Sequence, residues 1–192
     1  MSKIAIGART ILYPLPAVLV GANVDGKPNF STYAWCGIVS SRPPTLSVAF
    51  QHQRHTFKGV KQNGTFSVNI PSIELVEETD YCGLVSGRKT DKVADCKFNI
   101  FYGELTNAPM ISECPVNMEC LSLHILNLGS HEMVVGRIKE VYATDSCLTN
   151  GEPDVTKIQP FLWVTDPENK YWTFGKPIGE AFRIGKRMKK VG

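Results

Sequence analysis

Residues 17–35 read Ala-Val-Leu-Val-Gly-Ala-Asn-Val-Asp-Gly-Lys-Pro-Asn-Phe-Ser-Thr-Tyr-Ala-Trp. The apolar run Ala17–Ala22 is too short for an ordinary helix. Asp25-Gly26 follows it, and Asp-Gly is the dipeptide of a tight hairpin, because both central positions want positive φ. The segment therefore predicts a strand, a two-residue turn and a return strand from Asn29 to Trp35. Gly21 to Lys27 also fits the GxxxxGK pattern of a phosphate-binding P-loop. Pro28 stands where that loop needs Ser or Thr, and the stretch feeds a strand instead of a helix, so the hairpin prevails.

Outward from this hairpin the pattern stays β-rich. Leu46–Phe50, opened by Pro43-Pro44, and Thr65–Ile70, closed by Pro71, are short apolar strands. Between them, Arg54–Asn63 spaces Phe57 and Val60 three apart and ends on Asn63-Gly64, a helix C-cap signal. Glu74–Tyr81 and Asp91–Ala94 read as further helical turns. Val116–Leu128 and Glu132–Val141 are two long strands joined near Gly129-Ser130. Phe161–Val164 and Lys170–Phe174 form a last hairpin around Asp166-Pro167. About eight short strands and a few short helices predict a mainly β chain, a closed barrel with helical additions.

The chain has 192 residues, 43% of them hydrophobic and 20% charged, which suits one globular domain. Its net charge of +3 is concentrated at one end. Arg183, Lys186, Arg187, Lys189 and Lys190 lie within the last ten residues, and without these five, 16 basic residues face 18 acidic ones. A nearly neutral body with a basic tail (183–192) argues against a nucleic-acid face. No apolar run approaches the length of a membrane-spanning helix. Pro14 and Pro16 break the apolar stretch after Lys3 and Arg9, which argues against a secretory leader. Six cysteines without a CxxC pair, in a chain large enough to need no stapling, predict reduced thiols and a cytoplasmic protein.

Familiar catalytic signatures are missing. No G-x-G or G-x-S-x-G occurs, and the S-x-x-K at Ser86–Lys89 lacks its usual companions. His52 and His55 have no carboxylate or thiol nearby to complete a metal site. One cluster does point to a ligand. Arg54, His55 and Thr56 open a helix directly after a buried strand, and a helix N-terminus favours phosphate. A second basic, hydroxyl-bearing loop, Ser86–Lys92, leads into another helical turn. Together they fit a phosphate monoester.

The order of these pieces resembles the flavin reductase-like family of FMN-binding split barrels. The resemblance rests on Pro14–Val20, Asp25–Asn29, Ser31–Trp35, Pro43-Pro44, Arg54-His55-Thr56 and Phe66–Pro71. It continues through Tyr81, Ser86–Arg88, Asp91-Lys92, Pro160–Leu162 and Gly179–Lys186, and so covers nearly the whole chain. It implies a split β-barrel over residues 1–182, homodimeric, holding FMN noncovalently near the subunit interface. Carried over by position, Asn29, Ser31, Thr32, Tyr33, Ala34 and Trp35 would line the flavin ring, largely through main chain. Val48, Ala49, Phe50 and Gln51 would pass the ring and ribityl chain. Arg54, His55 and Thr56 would meet the phosphate, with Lys92 reaching it from a covering loop. The aromatic hairpin Trp163–Trp172 would cover the flavin from the partner subunit or fill the barrel core. Trp35 has the same two readings, beside the ring or in the core.

With the flavin carrying the redox chemistry, no catalytic residue and no metal is expected. Three functions follow. The first is an electron carrier working through FMN with a redox-protein partner, of iron–sulfur or thiol/disulfide type. The second is an NAD(P)H-dependent flavin or ferric reductase. The third, disfavoured by the neutral body, is a non-redox barrel module. The long strands 116–128 and 132–141 also hold more apolar positions than one barrel can bury, which predicts a dimer.

Overall fold

The computed structural model describes residues 1–188, so Lys189 and Lys190 of the basic tail lie outside the described residues. The first half of the chain holds β1 (Leu15–Pro16), β2 (Val18–Val24), β3 (Lys27–Tyr33), β4 (Cys36–Ser41) and β5 (Pro44–Gln51). Helix α1 (His55–Asn63), β6 (Thr65–Ile70), α2 (Val76–Leu84) and α3 (Lys92–Asp95) follow. The second half holds β7 (Ile100–Phe101), β8 (Met110–Ile111), β9 (Val116–Asn127), β10 (His131–Ala143), β11 (Leu148–Thr149) and β12 (Glu152–Pro153). It ends with α4 (Val155–Ile158), β13 (Phe161–Val164) and β14 (Lys170–Thr173).

Seven strands make one antiparallel sheet in the order β3-β2-β6-β9-β10-β5-β4. Its two end strands are consecutive in sequence, separated only by Ala34 and Trp35. The sheet therefore closes on itself through the chain: β3 pairs with β2, the strand bends at Ala34-Trp35, and β4 pairs with β5. The amides of Cys36 and Ala49 donate to the carbonyls of Ala34 and Trp35 at this joint, each at 2.9 Å. The β2–β3 hairpin turns on Asp25 (φ 51°) and Gly26 (φ 81°), as the dipeptide predicts.

The barrel interior is filled by alternate residues of each strand. Val18, Val20 and Ala22 of β2, Leu46, Val48 and Phe50 of β5, and Phe66 and Val68 of β6 meet there, with Phe57 and Val60 of α1. Burying side chains of this size contributes about 1.5–3 kcal/mol each. A second, smaller core lies outside the wall. Leu19 and Phe30 pack there against Cys82, Phe98, Ile111 and Cys114, holding α2 and α3 over β3.

The expectation of about eight strands is corrected to fourteen among the described residues, several of them only two residues long. Strand β4 had no signal: its Gly37, Ser40 and Ser41 do not alternate with apolar residues, and a register shift lies between Ile38 and Ser40. The return strand runs from Lys27 to Tyr33, so Trp35 falls in the joint beyond it. All six cysteines are free thiols. Among the described residues no helix is long and apolar enough to cross a membrane.

Candidate functional site

A cleft of about 340 Å³ opens at the barrel joint. Its inner wall is Thr32, Tyr33, Ala34 and Trp35 with Ala49 and Gln51 of β5. The alternation of β5 explains which residues face it. Val48 and Phe50 are fully buried in the barrel core, whereas Ala49 and Gln51 point outward into the cleft. Tyr33 packs its ring on Phe50 (4.6 Å between centroids) and leaves its hydroxyl buried without a partner. Burial pushes that phenol well above its usual range.

Trp35 is 38% exposed and stacks on His131 of β10 at 4.6 Å, so it lies in the cleft and not in the barrel core. The outer wall comes from Asp80 and Gly83 of α2 and from the last hairpin. Trp163 and Tyr171 line the cleft of their own chain, and Tyr171 donates to Asp80 at 2.8 Å. Of the two expectations for these aromatics, the barrel core is the one this position overturns.

At Gln51 and Arg54 the cleft meets a smaller pocket of about 150 Å³. Arg54 is the N-cap of α1, and no side chain caps that helix. The pocket thus receives an uncapped helix end together with Arg54, His55 and Thr56. Arg54 Nη1 donates to the Gly83 carbonyl at 2.7 Å, tying α1 to α2. The buried Nδ1 of His55 has no partner, and burial with the nearby Arg88 and Lys58 cations lowers this imidazole's pKa. Asn29 is buried behind the pocket, its Nδ2 donating to Thr56 Oγ1 at 2.6 Å, which leaves that hydroxyl free to donate forward.

The floor is Ser31 and Lys92. Lys92 is the first residue of α3, with Asp91 capping the helix through the amides of Val93 and Ala94. It is buried and not on a loose covering loop: its Nζ donates to the carbonyls of Phe30 (2.9 Å) and Cys82 (2.7 Å). Desolvation lowers its pKa to about 8. One wall of the pocket is Ser86 and Gly87. A Cβ on Gly87 would stand 1.8 Å from Asn29 Oδ1, so only glycine allows the loop this close.

The structure therefore brings together Thr32–Trp35 of the hairpin, Ala49 and Gln51 of β5 and the start of α1, whereas Val48 and Phe50, expected beside the ring, face the barrel core because strand residues alternate. Asp80, Gly83 and His131 had no local signal, because each reaches the cleft only by tertiary packing. What these residues build is an aromatic slot leading to a cationic, donor-rich end.

The comparisons with known proteins agree with this geometry. The family model described as "Flavin reductase like domain" matches residues 9–165. The fold is similar to the crystal structure of flavoredoxin from Methanosarcina acetivorans, with 42% identity, a TM-score of 0.94, and 98% of this chain and all of that one covered. It is also similar to flavoredoxin of Desulfovibrio vulgaris (Miyazaki F), with 33% identity, a TM-score of 0.89, and 96% and 100% covered. A sequence relative, the FMN reductase (NADH) RutF of Acinetobacter baylyi, is 27% identical over 65% of this chain and 63% of its own length. The chain belongs to the flavin reductase-like domain family.

Proposed function

We propose that this protein holds FMN noncovalently in the cleft and its side pocket and transfers electrons through it. The observation that carries this reading is the junction at Gln51 and Arg54, where an aromatic slot runs directly into an uncapped helix N-terminus. A flat ring and a terminal phosphate are what such a junction fits. The orphaned His55 Nδ1 and the space kept open by Gly87 support an anionic group there.

When bound, FMN supplies the reversible redox chemistry. The chain's own residues bind and shield it. Arg54, His55, Thr56 and Lys92 hold the phosphate, with Arg54 giving charge-assisted hydrogen bonds. Asn29, Ser31 and Thr32 place β3 beneath the ligand, and Tyr33, Ala34, Ala49 and Gln51 form its wall. Val48 and Phe50 act from behind, keeping β5 rigid. Trp35, Trp163 and Tyr171 exclude water. The similarity to two flavoredoxins favours a carrier that exchanges electrons with a redox protein, and the six free thiols support a reducing, cytoplasmic setting.

A homodimer belongs to the same reading. Leu121, Leu123, Ile125 and Leu126 of β9 are each 37–46% exposed, and Ile38 and Val39 of β4 are 68% and 55% exposed. Apolar side chains left open on sheet strands in this number call for a partner. Sedimentation should give two chains per particle, and a monomer at micromolar concentration would overturn the dimer.

The test of function is spectroscopic. The purified protein should be yellow, or take up added FMN at one per chain. Without air, dithionite or a reduced low-potential iron–sulfur protein should bleach the flavin quickly, and NADH or NADPH slowly. A protein that ignores FMN refutes the reading. Bleaching by a nicotinamide within hand-mixing time would make it a reductase, the reading that the similarity to RutF favours.

A further inference from the structure

Helix α2 ends at the side pocket, and the carbonyls of its last turn anchor two of the pocket's cations. A helix leaves its last carbonyls without intrahelical partners. That of Cys82 accepts from Lys92 Nζ at 2.7 Å, and that of Gly83 accepts from Arg54 Nη1 at 2.7 Å. Ser31 Oγ donates to the same Cys82 carbonyl at 3.5 Å. The main chain of Lys92 is tied to a second cysteine. Cys96 closes α3, and its amide donates to the Lys92 carbonyl at 3.0 Å. The two cysteine side chains meet as well. Cys82 is fully buried in the small core outside the barrel wall, and Cys96, half-buried, packs against that core. Their thiols are close enough for each to influence the other's proton. One lysine and one adjacent thiol pair therefore join the end of α2 to the end of α3.

We propose that Cys82 and Cys96 form a reversible redox switch, closing to a disulfide that loosens the phosphate end of the FMN site and reopening when reduced. The gating rests on the reading of the side pocket as the FMN phosphate site. The oxidant is a low-molecular-weight disulfide. The more exposed thiol, Cys96, attacks one of its sulfurs as the thiolate and expels the first small thiolate. The Cys82 thiolate then attacks the Cys96 sulfur of this mixed disulfide and expels the second. Two protein thiols thus give two electrons and two protons to the two small thiols released. Burial pushes both protein thiols up, Cys82 to about 12, while the Lys92 ammonium favours their thiolates, so closure is slow and calls for a sustained excess of oxidant. The new bond draws Cys82 and Cys96 inside their contact distance. The carbonyls of Cys82 and Gly83 move with it, and Lys92 and Arg54 lose the positions from which they face the phosphate. The bond also closes the loop 82–96, which carries the Ser86 and Gly87 wall of the pocket.

The experiment compares the full chain before and after incubation with excess glutathione disulfide. Peptide mapping, with the remaining thiols alkylated, should find Cys82 joined to Cys96. FMN should then bind about tenfold more weakly, and riboflavin, which has no phosphate, within about twofold of the reduced protein. The urea midpoint of the flavin-free protein should rise, because the closed loop restrains the unfolded chain. A rise in stability with a fall in FMN affinity separates gating from damage to the fold. Excess dithiothreitol should restore FMN affinity. Cys96→Ser, whose side chain lines neither the cleft nor the side pocket, should bind FMN like the reduced wild type and ignore the oxidant. The map and its reversal on wild type decide the matter even if that variant does not fold. No bond under excess oxidant, or a bond from either cysteine to another partner, overturns the proposal. So does unchanged FMN affinity after closure, an equal loss of FMN and riboflavin, or a midpoint that falls. Failure of the reduced protein to bind FMN at all would instead refute the preceding reading and the gating with it, while the map would still decide the bond.

Discussion

The guanidinium of Arg54 reaches across the mouth of the side pocket to the carbonyl of Gly83, 2.7 Å away. This one bond fixes the start of α1 against the end of α2, and it leaves the other guanidinium donors facing the pocket. Replacing Arg54 by Ala removes a charge-assisted contact of about 1.5–3 kcal/mol. FMN binding should weaken by roughly ten- to a hundredfold, while riboflavin, which has no phosphate, should be little affected. Calorimetric titration of both flavins distinguishes the roles. Equal losses would mean that Arg54 acts through Gly83 and the fold alone.

Lys92 gives the site a pH dependence. Its pKa in the folded protein is about 8, below the ordinary 10.5, because burial penalises the charged form. Between those values the unfolded chain holds more protons, so this residue's contribution to stability rises with pH across that window. A bound phosphate acts in the opposite sense and favours the ammonium. FMN affinity should be full below pH 8 and fall above it, with riboflavin unchanged over the same range. A flat FMN profile up to pH 10 would exclude Lys92 from the phosphate.

The same lysine also has a structural duty. Lys92→Met strands the carbonyls of Phe30 and Cys82, and each buried unsatisfied group costs about 1–3 kcal/mol. Urea unfolding of the flavin-free protein should show that loss. No change in midpoint would mean that the two carbonyls find water instead.

Gly87→Ala should damage the pocket at a distance. The new methyl collides with Asn29 Oδ1, and Asn29 holds the Thr56 hydroxyl. Overpacking of this kind costs about 1–3 kcal/mol, and FMN affinity should drop with it. Adding Asn29→Ser relieves the clash. The double variant should therefore be more stable than the sum of the two single changes predicts. Simple additivity would show that the two residues do not meet.

Trp35→Ala should open the cleft without loosening the barrel. The stack on His131 is worth about 0.5–1.5 kcal/mol, and the indole is already 38% exposed. Stability should fall by no more than that amount. Bound flavin should fluoresce more strongly, and the reduced flavin should reoxidise severalfold faster in air. Unaltered fluorescence would place the indole away from the ring.

Much of this architecture was legible from the chain. Asp25-Gly26 fixed a hairpin because few other dipeptides tolerate two positive φ angles in succession. Asn63-Gly64 marked the end of α1, and Gly64 indeed sits at φ 66°. The side-pocket residues Arg54, His55 and Thr56 were readable because a helix end is a local feature. Lys92 was readable as a position but not as an environment: nothing in its neighbours announces that Phe30, 62 residues away, will take one of its protons in a hydrogen bond. His131 was hidden for the same reason. It becomes a cleft residue only because β10 pairs with β5 so that His131 lies opposite Gln51. Strand β4 was hidden because its pattern is set by a bend, not by an alternating face.

That bend has a further consequence. Since β3 and β4 are one run of chain, the barrel is closed at this point by covalent chain and not by strand pairing, so no ladder bond there has to break for a ligand to enter. The amides of Cys36 and Ala49 clasp the bend through the carbonyls of Ala34 and Trp35. Those two protons are consequently built-in reporters: their exchange with solvent should slow when the cleft fills, while amides deep in the β9–β10 ladder keep their own pace.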